Sequence, residues 1–198
     1  MTTQDSSTET LDVEELLHLA LDANEGGDGE KVINYLKRLL ALQPGHGMAL
    51  YLLGAQHAQM RMYDRAKEEM ARAVEVEPNI PPTAHFQLGL LHLTSGEVPQ
   101  AMAAWSPLEA LEENDALFLF QRGLTALIRD DFAGCIADLQ AGIGSNDLYP
   151  ALNADMQLFI DRARAAMDAQ PEADEANTVA SESSRRANLS AYESDSDG

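Results

Sequence analysis

Between Met48 and Pro78 the chain repeats apolar positions with the period of an α-helix, twice in succession. Leu50, Leu53, Gly54 and His57 fall three and four residues apart and so share one helix face. Ala66, Met70, Ala73 and Val74 do the same after a polar break at Arg61-Met62-Tyr63. Pro78 stops the second pattern, because proline lacks the amide hydrogen and clashes with the preceding turn. A helix pair this short cannot bury its apolar stripe alone and needs like neighbours. The same reading gives helices over about Val13–Glu25, Glu30–Leu42, 47–60, 64–76, 83–95, 116–129 and 132–143, with another opening near Val98-Pro99. Asp12 with Glu15 forms the first cap, and Gly26-Gly27-Asp28-Gly29 ends the first helix.

Two local conflicts stand out. Ser106-Pro107-Leu108-Glu109 has the grammar of a helix start in the middle of an apolar helical run. A kink or break is expected there, at a local cost of about 3 kcal/mol unless packing compensates. Gly134 and Gly142 weaken the 132–143 helix by about 1 kcal/mol each relative to alanine, so this region is expected to open most readily. Pro150 then starts a helix through about Asp168. Its Leu152, Met156, Phe159, Ile160 and Ala163 form a stripe opposite Asp155, Asp161, Arg162 and Arg164, the two-faced pattern of a terminal cap.

Comparing the chain with itself reveals a period. Pro44 and Pro78 lie 34 residues apart, Gly54 and Gly89 35, and Gly89 and Gly123 34. In that register Leu53-Gly54, His57, Ala66, Met70 and Pro78 resemble the tetratricopeptide repeat, with its W-x2-L-G-x2-Y, A-x3-F and P landmarks. Leu88-Gly89, His92, Ala101 and Trp105 occupy the same slots in the next unit. Gly123, Ala126, Cys135 and Leu139 follow in a fourth, and Leu19-Ala20, Ala23, Val32, Leu36 and Pro44 make the first. The resemblance implies an all-α fold: an α-solenoid of about four helix pairs with a C-terminal capping helix and a disordered tail. Its expected organisation is a mobile N-terminus over 1–12 and repeats over 13–46, 47–80, 82–115 and 116–149. A cap over 150–169 and an acidic tail over 170–198 complete it.

Composition narrows the function. A formal net charge of −20 argues against nucleic acid and anionic membranes, whose recognition needs clustered Lys or Arg. No apolar stretch has the length of a membrane span. The first residues, MTTQDSSTETLD, lack the basic and apolar regions of a secretory leader. Cys135 is the single cysteine, which excludes an intramolecular disulfide and fits a reducing, cytoplasmic setting. It is read as a buried space-filler in a small-residue slot. From Pro171 onward the chain is too poor in large apolar residues to offset its ordering entropy.

No catalytic, metal or cofactor site is expected. H-E-x-x-H, C-x-x-C, phosphate-loop, G-x-S-x-G and dinucleotide patterns are all missing from the sequence. His85 and His92 are seven apart, the spacing of a possible metal pair, but they and His57 fill aromatic slots of the repeat. Packed, hydrogen-bonded histidines are therefore expected instead.

The resemblance implies a concave surface lined by the first helix of each pair. On this sequence its positions are Leu17, Leu21 and Asn24; Tyr51, Ala55 and Ala58; Phe86, Leu90 and Leu93; and Phe120, Leu124 and Leu127. Tyr51, Phe86 and Phe120 form an aromatic series, read either as anchors for a bound segment or as core. Repeat domains that clamp chaperone carboxylate tails line this surface with Lys, Asn and Arg. The near-absence of such residues here points instead to an apolar or amphipathic protein segment. An adaptor role follows. The alternatives are a chaperone of apolar clients, resembling class II type III secretion chaperones, and a structural subunit whose groove is filled by self-association.

Overall fold

A computed structural model describes residues 11–169. Of the expected mobile start over 1–12, residues 1–10 lie outside the described residues, as does the expected disordered tail over 170–198. Leu11 packs against the core and Asp12 caps the first helix, so these two are not part of a mobile start. The described helices are α1 (Val13–Glu25), α2 (Gly29–Leu42), α3 (Gly47–Gln59), α4 (Tyr63–Val76), α5 (Pro82–Thr94) and α6 (Val98–Trp105). A 3-10 turn over Ser106–Ala110, α7 (Ala116–Ile128) and α8 (Phe132–Ser145) follow. The last helix, α9, covers 150–169. No strand occurs among the described residues.

Consecutive helices pack as pairs: α1 with α2, α3 with α4, α5 with α6, and α7 with α8. The chain divides into two compact units between Ala110 and Leu111. In the first unit α2 also packs on α3 and α4 on α5, so the core runs from pair to pair. Leu16, Ala20, Val32, Leu36 and Leu39 bury against Ala49 and Leu53 of α3. Leu50 meets Ala73, Ile80 and Ala84 in the next layer. In the second unit α9 buries Leu152, Met156, Ile160 and Ala163 and exposes Asp161, Arg162 and Arg164, as a C-terminal cap requires. Phe159 is only half-buried, and the Arg162 guanidinium lies 6.0 Å from its ring.

The helix ends have local causes. Asp12 accepts from the Glu15 amide at 2.9 Å while Glu15 accepts from the Asp12 amide at 2.9 Å, a reciprocal capping box. Asp28, Asp115 and Asp131 cap α2, α7 and α8 with their carboxylates. At Ser106 the α-helix gives way to the 3-10 turn. Ser106 itself remains right-handed (φ −50°, ψ −40°), so the expected break is real but begins no new α-helix.

Inside every pair the turn uses one residue in the left-handed region: Gly27 (φ 71°), Arg61 (φ 60°), Gly96 (φ 78°) and Asp130 (φ 58°). The next residue's amide then donates back across the turn, as from Asp28 to the Ala23 carbonyl (2.9 Å) and Met62 to the His57 carbonyl (2.8 Å). Glu97 to His92 (2.9 Å) and Asp131 to Ala126 (3.0 Å) repeat the bond. Glycine adopts this conformation freely, whereas Arg61 and Asp130 meet the steric cost of a Cβ there. Arg61→Gly is expected to raise stability by about 0.5–1 kcal/mol, read as a shifted urea midpoint with an unchanged slope. A loss of stability would mean that the Arg61 side chain contributes more than its backbone costs.

Candidate functional site

In the first unit the first helices α3 and α5 are uncharged, whereas α1 carries Glu14, Glu15, Asp22 and Glu25 and the short second helix α6 (VPQAMAAW) is uncharged as well. Neither α3 (GMALYLLGAQHAQ) nor α5 (PTAHFQLGLLHLT) contains a single Asp, Glu, Lys or Arg. Lys31, Lys37 and Arg38 lie on α2, and Arg65, Lys67 and Arg72 on α4. Along these uncharged helices Tyr51, Ala55, Ala58, Leu90 and Leu93 are half-buried. On α1, Leu17 is half-buried, Leu21 is 39% exposed, and Asn24 is exposed. These eight expected positions of the first unit retain accessible surface.

Phe86 does not. It is fully buried, and the reason is Gly89. A Cβ on Gly89 would lie 2.1 Å from the Trp105 indole nitrogen, so only glycine lets that ring pass between α5 and α6. The indole stacks near Phe86 (centroids 6.3 Å apart, planes at 21°), and its N–H donates to the Phe86 carbonyl at 3.0 Å. Phe86 is thus a core ring and not an anchor for a partner.

Phe120 in the second unit is corrected in the same way. It too is fully buried, and it seats on Gly142, where a Cβ would lie 2.6 Å from the ring. Leu124 is likewise fully buried, whereas Leu127 is half-buried. The aromatic series Tyr51, Phe86 and Phe120 therefore has only one member with exposed surface. Gly142 and Gly134 weaken α8 for local reasons: one admits Phe120, and the other sits where a Cβ would strike the capping Asp131 carboxylate.

The histidines at positions 57 and 92 are committed to hydrogen bonds, as the repeat register implied. His57 Nδ1 is 2.6 Å from Glu69 on α4. His92 Nδ1 is 2.6 Å from Glu97, which also holds Lys67 of the preceding pair at 2.7 Å. Burial pushes His85 below its ordinary value, against an opposing backbone hydrogen bond to Ala104. Among the described residues no group of three or more His, Cys, Asp or Glu is placed to hold a metal ion. Cys135 is buried, and burial raises its thiol to about 11, with Asp138 and Asp131 acting in the same sense. Such a thiol is a poor nucleophile near neutrality.

The hydrogen bond from Lys67 and then that from His92 hold Glu97 below its ordinary carboxylate value, and Glu97 holds Lys67 above its own. A lowered carboxylate contributes stability above its unfolded value and loses it as pH falls through the folded one. The raised lysine contributes below its unfolded value and loses it as pH rises through the folded one. The thermal midpoint difference between wild type and Lys67→Met is therefore expected to be small and level over about pH 6–9, since the pair is partly exposed. It should vanish as the medium approaches about pH 3, and a difference that persists there would show packing as its source.

No protein-family model and no curated protein matches the sequence. Solved structures do match. MamA from Desulfovibrio magneticus RS-1 aligns with a TM-score of 0.56 at 17% identity, over 88% of this chain and 96% of that one. YrrB, a TPR protein with an unusual peptide-binding site, aligns with a TM-score of 0.58 at 17% identity, over 79% of this chain and 78% of that one. The Cut9–Hcn1 hetero-tetramer of the APC/C gives a TM-score of 0.65 at 16% identity; 79% of this chain is covered, but only 30% of that chain. Together with the consecutive pairs and their 34–35-residue period, these matches establish the tetratricopeptide-repeat fold. No helix among the described residues is long and apolar enough to cross a membrane.

Proposed function

We propose that this tetratricopeptide-repeat protein is a binding adaptor, without catalysis of its own. On this reading it receives an apolar or amphipathic protein segment on the first-helix face of its N-terminal unit. The observation that carries the proposal is the pair of first helices, α3 and α5, that lack any carboxylate, lysine or arginine and still present Tyr51, Ala55, Leu90 and Leu93. In a chain of net charge −20, two successive 13-residue first helices without a charge, with accessible apolar side chains along them, are a feature that solubility does not explain. Similarity of fold to YrrB, which has a peptide-binding site, and to Cut9 in its complex with Hcn1, supports the same role. Leu17, Leu21, Asn24 and Ala58 extend this face in the N-terminal unit, and Leu127 is the accessible counterpart in the other.

Phe86 and Phe120 cannot serve in the test, because charging a core ring destroys the fold. The test is Leu90→Glu combined with Leu93→Glu, in a variant as helical as wild type by circular dichroism. Captured proteins from native-host lysate are compared by mass spectrometry. Burying one leucine side chain against a partner is worth about 1.5–3 kcal/mol, so specific partners should bind the variant at least roughly tenfold more weakly. Identical captures would reject the first-helix face as the binding surface.

A further inference from the structure

The first pair departs from the other three at one position. The second helices open on Tyr63, Val98 and Phe132 in α4, α6 and α8, but α2 opens on Gly29. A cleft of about 680 Å³ lies beside it, lined by Asn24, Glu30, Ile33, Gln56 and Met60 together with glycines and Gln59. Its volume falls within the range of sites that hold a side chain or small ligand.

The chemistry of the cleft has a direction. Gln56 is 6% exposed, and its amide nitrogen donates to Asn24 Oδ1 at 2.9 Å. Its carbonyl oxygen accepts nothing among the described residues, and it faces Gly29, where a Cβ would come within 2.9 Å of it. No sealed side-chain polar atom lacks a partner among the described residues, so this oxygen opens onto the cleft. Glu30, on the rim, makes no ion pair among the described residues, since the adjacent Lys31 is held by Asp28 at 2.8 Å. Ile33 and Met60, the latter 58% exposed, supply apolar wall. An unpartnered acceptor oxygen that opens onto the cleft from an otherwise buried side chain, an unneutralised carboxylate and a short apolar wall together suit a donor that is cationic and carries an aliphatic stem.

We infer that this cleft receives a lysine or arginine side chain of the bound protein segment. The inference rests on the binding role proposed above and adds to it a charge requirement. The stem lies along Ile33 and Met60, the head donates to the Gln56 carbonyl oxygen, and Glu30 supplies the counter-charge. Partners are then apolar segments carrying a basic residue at the end that meets the first helix pair. Lys31, the cation next to Glu30 in the chain, is engaged by Asp28 and does not compete for the carboxylate on the cleft rim.

The test titrates the full-length, 15N-labelled protein with N-acetyl-lysine methylamide at about physiological ionic strength, where diffuse attraction is screened. N-acetyl-norleucine methylamide, with a similar stem and no charge, is the control. Saturable shifts are expected at the Gly29 amide and the Gln56 side-chain amide with the lysine probe alone. Glu30→Gln, an exposed substitution that leaves the fold intact, should weaken them roughly tenfold. Shifts spread over the exposed carboxylates of α1 and α4, equal shifts with the norleucine probe, or an unaltered Glu30→Gln response would each overturn the inference. The probe does not depend on Leu90 or Leu93. If it fails while the Leu90 and Leu93 variant still loses its partners, only the charge requirement falls. If the captures also match, the binding role itself falls.

Discussion

Trp105→Ala is expected to destabilise the N-terminal unit by about 3–5 kcal/mol, the largest effect of any single truncation proposed. The indole is completely buried, it stacks against Phe86, and its N–H is spent on the Phe86 carbonyl. Removing it leaves a void between α5 and α6 that Gly89 cannot fill, because that position has no side chain. The 3-10 turn begins at the very next residue, Ser106, so α6 has no further helical turn through which to redistribute the loss. Trp105→Phe keeps much of the volume and loses the hydrogen bond, for which about 1–2 kcal/mol is expected. Urea denaturation followed by far-ultraviolet dichroism reads both. A Trp105→Ala protein within about 1 kcal/mol of wild type would mean that the ring is not the wedge between the two helices.

The second large effect reverses the sign that helix propensity alone predicts. Replacing a mid-helix glycine by alanine ordinarily gains about 1 kcal/mol. At Gly142 the new methyl would lie 2.6 Å from the Phe120 ring and 3.2 Å from Leu119 Cβ. Both neighbours are packed core side chains, not flexible ends, so the ring must leave its place. Gly142→Ala is expected to cost about 1–3 kcal/mol net. Gly144, two residues on, has open space where a Cβ would stand, with nothing within 4 Å, so Gly144→Ala provides the propensity gain without the clash. A stabilised Gly144→Ala beside a destabilised Gly142→Ala separates packing from propensity. If both variants gain stability, Phe120 is not seated on Gly142 as described.

These two glycines also mark where the sequence pattern stops being informative. Periodicity locates the first and second helices to within a few residues, because each buries one stripe and the prolines and glycines punctuate the ends. The break at Ser106 is legible because proline chemistry is local. The direction of Phe86 and Phe120 is not, since a ring at helical spacing can face either its paired helix or solvent. The available signal is the company they keep: Gly89 three residues after Phe86 with Trp105 ahead, and Gly142 on the second helix of the pair that Phe120 opens. The left-handed turns at Arg61 and Asp130 are hidden because neither residue is glycine. Their register with Gly27 and Gly96 is the clue. Gln56 carries no motif at all, and its significance depends on Gly29 standing where the other pairs place Tyr63, Val98 and Phe132.

What survives of the expected surface is smaller and less aromatic than the spacing alone implied. Tyr51 remains as the accessible ring of the series, with leucines and alanines around it. Such a face relies on shape and on the exclusion of charge more than on deep anchors, and it favours segments that present small apolar groups in series.

The most direct test of the binding account is photo-crosslinking from single positions. A benzophenone side chain is introduced at Ala55 or Leu93, on the uncharged face, and separately at Glu68, on α4. The account predicts that a shared partner crosslinks from positions 55 and 93 and not from 68. Crosslinks that arise from 68 alone would place the binding surface on the second helices and contradict it.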